Sequence, residues 1–147
     1  MLSDIQLTQT DQGYYDFEIA NGDFVMTNGL DTALIISLFA DARADNSEVP
    51  VPILRRGWWG DLVSDYPTYQ TGSKLWLLNQ ARSNLETLNL SKTYMQNSLS
   101  WLTDDKLASK INVDAAFTTN GIGLQVTIYT PQNQVNNYAY NLWQNTI

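Results

Sequence analysis

Cysteine and histidine are both absent from the 147 residues of this chain. Without cysteine the chain has no disulfides, no thiolate metal ligands and no cysteine nucleophile. Without histidine it has no serine–histidine triad, no imidazole-bound zinc and no imidazole acid–base catalyst. An enzyme of this composition would have to work with carboxylates alone. We therefore predict that the chain is not an enzyme and has no catalytic residues, no cofactor and no metal site.

Charged side chains are also scarce, at 16% of the residues, and basic ones are outnumbered. The chain has 8 Lys and Arg against 15 Asp and Glu, so its formal net charge is −7. A nucleic-acid-binding protein needs a basic face that displaces counterions from phosphates, so we expect no nucleic-acid partner. The same balance argues against docking on an anionic membrane.

Targeting segments and long apolar runs are missing as well. The opening residues, MLSDIQLTQTDQG, have no basic stretch followed by an apolar one, so we expect no signal peptide. The longest apolar stretch, around 33–40, is interrupted by Ser37 and is too short for a membrane span. The sequence thus predicts a soluble protein made in the cytoplasm. Its length predicts a single domain over residues 1–147.

In the first third of the chain, the spacing of the apolar residues changes once, from that of strands to that of a helix. Alternating apolar residues with turn residues at 11–13 and 21–23 predict an N-terminal β-meander. A helical apolar repeat follows over 30–45, with Thr27 or Asn28 as its cap. The order of elements at this end is therefore strands first and a helix second.

The middle of the chain combines a long loop with helices. Residues 46–72 contain prolines, glycines and several aromatic residues, which favours an ordered functional loop. Ser73 is expected to cap a helix that continues to Leu88. Ser91 is expected to begin a second helix after a short link at 89–90, so the two helices are either neighbours or one bent rod.

The last part of the chain alternates with the period of two that is typical of strands. Apolar residues alternate over 111–117 and again over 124–130, on either side of an Asn-Gly turn at 120–121. Residues 135–142 form a last strand. The chain is therefore predicted to be an α+β domain with a β-meander, a helix, a long Trp-rich loop, two helices and a C-terminal antiparallel β-meander.

The most unusual stretch of the sequence is RRGWWGD at residues 55–61. Neighbouring residues of an extended chain point to opposite sides, so Trp58 and Trp59 are not expected to form one stacking platform. The two arginines could stack on these rings or pair with Asp61 and Asp65. The cluster could hold the loop against its own helices, or contact a partner, or do both.

Two other features leave alternatives open. Residues 133–140 are nearly uncharged and rich in asparagine, so they could pair only inside the domain or accept a strand from another chain at a sheet edge. Asp104 and Asp105 could cap a turn or bind calcium, although no D-x-D-x-D-G loop surrounds them.

A hydrolase with two carboxylates is the main enzymatic alternative. It would be a muralytic enzyme that uses Glu48 or Asp61 with a second carboxylate, although no spacing singles out a pair. A carbohydrate-binding module built on exposed aromatic residues is another alternative. The acidic candidates are Glu18, Glu48, Asp61, Asp65, Glu86, Asp104, Asp105 and Asp114.

Several of these segments together resemble the Mu-type phage baseplate wedge family, which is related to the small lysozyme-like wedge protein of T-even phages. The resemblance covers nearly the whole chain, and its most specific part is the Trp-rich stretch. The matching segments are RRGWWGD at 55–61, GSKLWLL at 72–78, SLSWL at 98–102, KINV at 110–113, NGDF at 21–24 and the aromatic strand that runs to Trp143.

This resemblance implies a structural subunit of a contractile phage tail, a prophage or a tail-like particle, located in the virion baseplate. It implies six copies around the hub that bind other wedge proteins, tail sheath and tube-initiator proteins and help to seed the sheath. The T-even branch has a Glu-Pro-Arg triplet where this chain has WLTDDK at 101–106, so that branch's contact residues do not transfer. The candidate interface residues are Arg55, Arg56, Trp58, Trp59, Asp61, Trp101, Asp104, Asp105, Val135, Tyr138 and Tyr140.

Overall fold

The computed structural model describes residues 3–143, except for the side chains of Asn28 and Trp143. Strands lie at both ends of the chain and helices lie between them. The predicted α+β class is therefore confirmed.

The N-terminal strands form three two-stranded ribbons that meet at one junction. The ribbons pair β1 with β6, β2 with β3 and β4 with β5. At the junction, the Val25 carbonyl accepts from the amide of Gln6 at 2.8 Å, and the Val25 amide donates to the Glu18 carbonyl at 2.8 Å. The strands lie in three segments, 3–9, 15–20 and 23–28, and each segment pairs with both of the others. The strands are β1 Ser3–Ile5, β2 Leu7–Gln9, β3 Tyr15–Phe17, β4 Ile19–Ala20, β5 Asp23–Phe24 and β6 Met26–Asn28.

Helix α1 spans Asp31–Phe39, which is shorter than the predicted repeat. It ends there because Ala40 is extended, with ψ of 144°. The N-cap residue Leu30 makes no capping hydrogen bond. Of the two predicted caps, Thr27 donates its hydroxyl to the Asp31 carboxylate at 2.9 Å, and the side chain of Asn28 lies outside the described residues. The buried face of α1 carries Leu34, Ile35 and Leu38.

The predicted helix after Ser73 is only a 3-10 helix over Lys74–Leu78. Ser73 does cap it, since its hydroxyl accepts from the amide of Leu75 at 3.2 Å. The chain then breaks over 79–84 before the next helix begins. The polar sequence NQARSN in this stretch offers no apolar stripe to bury, which explains the break.

Helix α2 spans Leu85–Leu99, and α3 follows at Trp101–Asp104. Asn84 caps α2 by accepting from the amide of Thr87 at 2.9 Å. Of the two arrangements expected at 89–90, the structure shows the continuous one, because α2 runs through these residues. Ser91 faces the core, fully buried, and its hydroxyl donates to the Thr87 carbonyl at 2.8 Å. A serine can thus lie on the buried apolar face of a helix when its hydroxyl is hydrogen-bonded to the helix backbone.

The C-terminal antiparallel meander is confirmed almost to the residue. Strands β7 Lys110–Thr118, β8 Gly121–Tyr129 and β9 Val135–Trp143 form one sheet in the order β7-β8-β9. Val113 pairs with Val126, which in turn pairs with Tyr138. The period of two puts these three side chains on the same face of the sheet.

This face of the sheet, α1 and α2 enclose the main core. Its centre is fully or almost fully buried: Leu34, Leu38, Leu75, Met95, Leu99, Leu102, Ile122, Leu124, Val126 and Ile128 are at most 1% exposed. No helix in the described part of the chain has the length and apolar character that a membrane span requires.

Candidate interaction surface

The loop over 40–73 is tied together at its two ends by backbone pairing. The amide of Ser73 donates to the Ala40 carbonyl at 2.9 Å, and the amide of Ala42 donates to the Ser73 carbonyl at 3.0 Å. Gly72 has φ of +88°, and a Cβ there would lie 2.1 Å from the Ala40 carbonyl oxygen. Glycine is therefore required at this crossing, the point where residues 72–73 pass close to Ala40.

Arg55 holds the inside of the loop through backbone carbonyls. Its Nε donates to Val49 at 2.7 Å, and its Nη2 donates to Pro50 at 2.8 Å. The carbonyl of Arg55 also accepts from the amide of Ala44 at 2.9 Å. This side chain therefore fixes the loop and does not pair with an acidic residue as the sequence suggested.

Arg56 joins the loop to the helical part of the chain. Its Nη1 lies 2.8 Å from the Asp41 carboxylate, and its Cζ lies 4.4 Å from the ring centroid of Trp76. The indole of Trp76 donates to the Ala42 carbonyl at 2.8 Å. The predicted stacking and pairing are thus real interactions, but with Trp76 and Asp41 in place of the neighbours in sequence.

Trp58 and Trp59 lie against each other, with ring centroids 5.7 Å apart and a 51° angle between the rings. The expectation that they point to opposite sides is wrong. Trp58 is extended, but a 3-10 turn over Trp59–Leu62 begins at the next residue, so the side chains no longer alternate. Both rings are accessible, at 52% and 72% exposure.

Gly60 allows the Trp58 ring to lie flat on the loop. A Cβ on this buried glycine would be 2.3 Å from Cη2 of Trp58. Asp61 is also a structural residue, because its two carboxylate oxygens accept from the amide and the hydroxyl of Thr71 at 3.0 and 2.8 Å. The tryptophan pair is thus presented on a well-connected turn.

Other large apolar side chains of the same loop are exposed as well. Ile53 is 88% exposed and Leu62 is 82% exposed. Several exposed large apolar residues in one segment make that segment a candidate for contact with a partner. The sequence analysis did not select Ile53 or Leu62. Their spacing fits neither a strand nor a helix with one buried face, which was a signal that they would not be buried in the core. We call the set the loop patch: Ile53, Leu54, Trp58, Trp59, Leu62, Val63 and Tyr66.

A cleft of about 360 Å³ opens beside the loop patch. Its apolar wall consists of the two tryptophans, Leu62, Pro67 and Tyr69, and its polar wall includes Arg43. Burial raises the pKa of the Tyr69 phenol, with smaller contributions from the negative charges of Asp61 and Asp105. The cleft therefore favours the neutral phenol.

Two carboxylates near the loop form ion pairs with Lys74. Its Nζ lies 2.8 Å from Asp45 and 2.9 Å from Glu48. Burial disfavours the charged ammonium, but the hydrogen bonds to both carboxylates outweigh it and raise the pKa of Lys74. Glu48 also accepts from the amide of Asp45 at 2.8 Å. Glu48, one of the two hydrolase candidates, therefore stabilises the loop.

Trp101 belongs to the core margin and not to the loop patch. Its indole donates to the Ser37 hydroxyl at 3.1 Å, and its ring packs against the core cluster. Asp104 and Asp105 are exposed at the end of α3. Among the described residues, no group of three or more acidic side chains could hold a metal ion.

Strand β9 lies at an edge of its sheet. Val135 is 52% exposed, but Tyr138 and Tyr140 pack against the core. Their rings are thus used inside the protein, and within the part of the chain that the structure describes no strand pairs with the outer edge of β9. The segment over 131–143 carries no charged residue, whereas the opposite edge strand has Lys110 and Asp114. Charges on an edge strand discourage pairing, so the two edges differ.

Comparison with known proteins gives a consistent result. A family model described as phage protein GP46 matches residues 30–135. The Mu-like prophage FluMu protein gp46 of Haemophilus influenzae is 36% identical over 115 residues, which cover 78% of this chain and 77% of the relative. Baseplate protein gp46 of Escherichia phage Mu is 36% identical over 121 residues, covering 80% of this chain and 81% of the relative.

Proposed function

This chain belongs to the phage protein GP46 family, and from that membership we propose that it is a structural subunit of a contractile-tail baseplate. Its relative from phage Mu is named a baseplate protein. The observation that carries the proposal to this chain is the loop patch, a set of large apolar side chains displayed on a loop that polar contacts hold in place. Such a surface suits binding to another protein.

Within the baseplate, the subunit belongs to the wedge and acts as one domain. Trp58 and Trp59 contact an adjacent wedge protein, while Arg55 and Arg56 keep the loop in the shape that displays them. The two tryptophans supply large contact areas with few rotatable bonds, which is typical of residues that dominate binding energy.

Strand β9 provides a second contact by backbone pairing. Its free edge and the absence of charge over 131–143 support the addition of a strand from a sheath or wedge neighbour. Six copies around the hub would then offer six such edges to the tail sheath and tube-initiator proteins. The subunit is located in the virion tail.

Co-expression with the adjacent tail genes tests the proposal. The wild-type chain is expected to co-elute with a wedge protein in size-exclusion chromatography and to appear in tail particles by electron microscopy. Trp59→Ala and Leu62→Ala should stay folded and lower the yield of complex about tenfold or more, because they remove exposed contact area.

Leu85→Ala is the matched control for Leu62→Ala. Leu85 is 71% exposed but lies at the start of α2, outside the loop patch. It should leave complex formation unchanged. If all three variants bind like the wild type, the loop patch is not the contact. If the wild-type chain joins no tail protein, the proposed function is wrong.

One observation favours a second candidate, a carbohydrate-binding module. The cleft beside Trp58, Trp59 and Tyr69 has the aromatic wall on which sugar rings stack. Titration of tryptophan fluorescence with cell-wall oligosaccharides tests it, and saturable quenching lost in Trp59→Ala would support it over a baseplate role. A structural subunit is expected to give a flat titration.

The hydrolase alternative has less support, because Glu48 and Asp61 both serve bonds that hold the loop. We therefore propose that the chain acts by binding and catalyses no reaction. Clearing of cell-wall suspensions by the purified chain, lost in Glu48→Gln, would contradict this.

A further inference from the structure

One positive charge in the cleft beside the loop patch is not neutralised. Arg43 lines the cleft and is exposed. Its Nη1 donates to the Arg56 carbonyl at 3.2 Å. Among the residues that the structure describes, Arg43 forms no salt bridge. Most of its guanidinium donors are therefore available to a ligand.

The other charged groups of the cleft already have partners. Arg56 pairs with Asp41 at 2.8 Å. Asp61 accepts two hydrogen bonds from Thr71. Arg43 is consequently the group through which this cleft can recognise charge, and the charge it recognises is negative.

The surroundings of Arg43 strengthen an ion pair and add an apolar requirement. A guanidinium binds both oxygens of a carboxylate through parallel hydrogen bonds, and the pair is stronger where apolar walls exclude water. A partner that covers the rings of Trp58 and Tyr69 and the side chain of Leu62 would place such walls around Arg43. A cleft of about 360 Å³ has room for one large apolar side chain beside the carboxylate.

We propose that this cleft docks a segment of a neighbouring baseplate protein in which a carboxylate lies next to a large apolar side chain. The inference rests on the proposed function and names the chemistry of the partner. A second copy of this chain is a poorer occupant, because each copy carries a net charge of −7 and the two repel.

Variants of Arg43 test the charge requirement in the co-expressed wedge complex. Arg43→Glu should weaken binding about tenfold or more, because it places a like charge against the partner carboxylate. Arg43→Lys should lose less, since it keeps the charge but not the paired hydrogen bonds. Arg82→Glu makes the same charge change on an exposed residue outside the cleft and should bind as the wild type does.

Thermal unfolding of each variant separates binding from folding, because Arg43 also donates to the loop backbone. Arg43→Gln is the milder variant, and it should keep the wild-type melting temperature and still weaken binding. The inference is overturned if Arg43→Gln and Arg43→Glu bind as Arg82→Glu does. A wild-type chain that joins no tail protein would instead overturn the proposed function itself.

Overlapping peptides from the neighbouring baseplate proteins test the partner chemistry directly. The purified wild-type chain is expected to bind peptides that have Asp or Glu adjacent to Leu, Ile, Phe or Trp. Replacement of that acid by its amide should abolish binding to the wild type. Bound peptides that tolerate the replacement would contradict the proposed recognition.

Discussion

The C-terminal sheet and the loop over 40–73 differ in the exposure of their large apolar side chains. In β8, Ile122, Val126 and Ile128 are 0% exposed. In the loop, Ile53 is 88% exposed and Leu62 is 82% exposed. The sheet therefore uses apolar side chains to stabilise the fold, whereas the loop leaves them exposed.

The two regions also differ in what fixes their shape. Backbone ladders and burial on α2 hold the sheet, and burial is the larger source of stability in proteins. The loop depends on a few polar contacts, among them the carbonyl bonds of Arg55 and the ion pair of Arg56 with Asp41. An ordered loop can thus keep apolar residues exposed, because its shape does not depend on burying them.

The largest expected difference is between two isoleucines. Ile128→Ala should lower the free energy of unfolding by about 2 to 5 kcal/mol, because it leaves a cavity in the core. Ile53→Ala makes the same chemical change on the loop and should change it by less than about 0.5 kcal/mol. Urea unfolding of both variants measures the difference. Equal losses would mean that the loop is part of the core.

Substitutions at two glycines compare the stability cost of a Cβ at the loop crossing with its cost in an open turn. Gly22 has φ of +82° and nothing within 4 Å of an added Cβ, so Gly22→Ala should cost about 1 kcal/mol of unfolding free energy from backbone strain. Gly72 has a similar φ of +88°, but its Cβ would meet the Ala40 carbonyl. Gly72→Ala should therefore cost about 2 kcal/mol or more, because the backbone must also move.

Melting temperatures of the two glycine variants check this ordering. In addition, Gly72→Ala should reduce binding to the wedge partner, since it displaces the end of the loop that carries the patch. Gly22→Ala should leave binding unchanged. A Gly72→Ala variant as stable as Gly22→Ala would show that the crossing is loose.

The sheet was predictable from the sequence because its signals are local. The alternation over 111–117 and the Asn-Gly turn at 120–121 specify both strand and turn, and no distant residue is needed to interpret them. The helices were harder. Ser73 caps only a short 3-10 helix, and Asn84 caps α2. The continuity of α2 depends on a buried Ser91 that looks like a helix start in the sequence.

The sequence marks the Trp-rich stretch as unusual, but it does not predict the contacts that this stretch makes. The Trp-rich stretch was singled out, yet the partners of Arg56 are Asp41 and Trp76, which are remote in sequence. Only the folded chain brings them together. The contact between Trp58 and Trp59 also depends on a 3-10 turn that no periodicity indicates.

The smallest expected effect is the pH dependence of stability that comes from Tyr15, a residue of β3 that adjoins the C-terminal sheet through Phe39. Tyr15 stacks on Phe39, which contacts Tyr140 of the sheet, and burial raises the pKa of Tyr15 from 10.0 to about 12. Below a pH of about 10 the phenol is neutral in both the folded and the unfolded state, so its ionisation does not lower the free energy of unfolding. Above it the unfolded chain ionises first, so the free energy of unfolding falls as the pH rises towards 12. Tyr15→Phe should make that fall smaller in urea unfolding at about pH 9 and about pH 11. An identical fall in wild type and Tyr15→Phe would show that Tyr15 ionises as easily in the folded protein as in the unfolded chain.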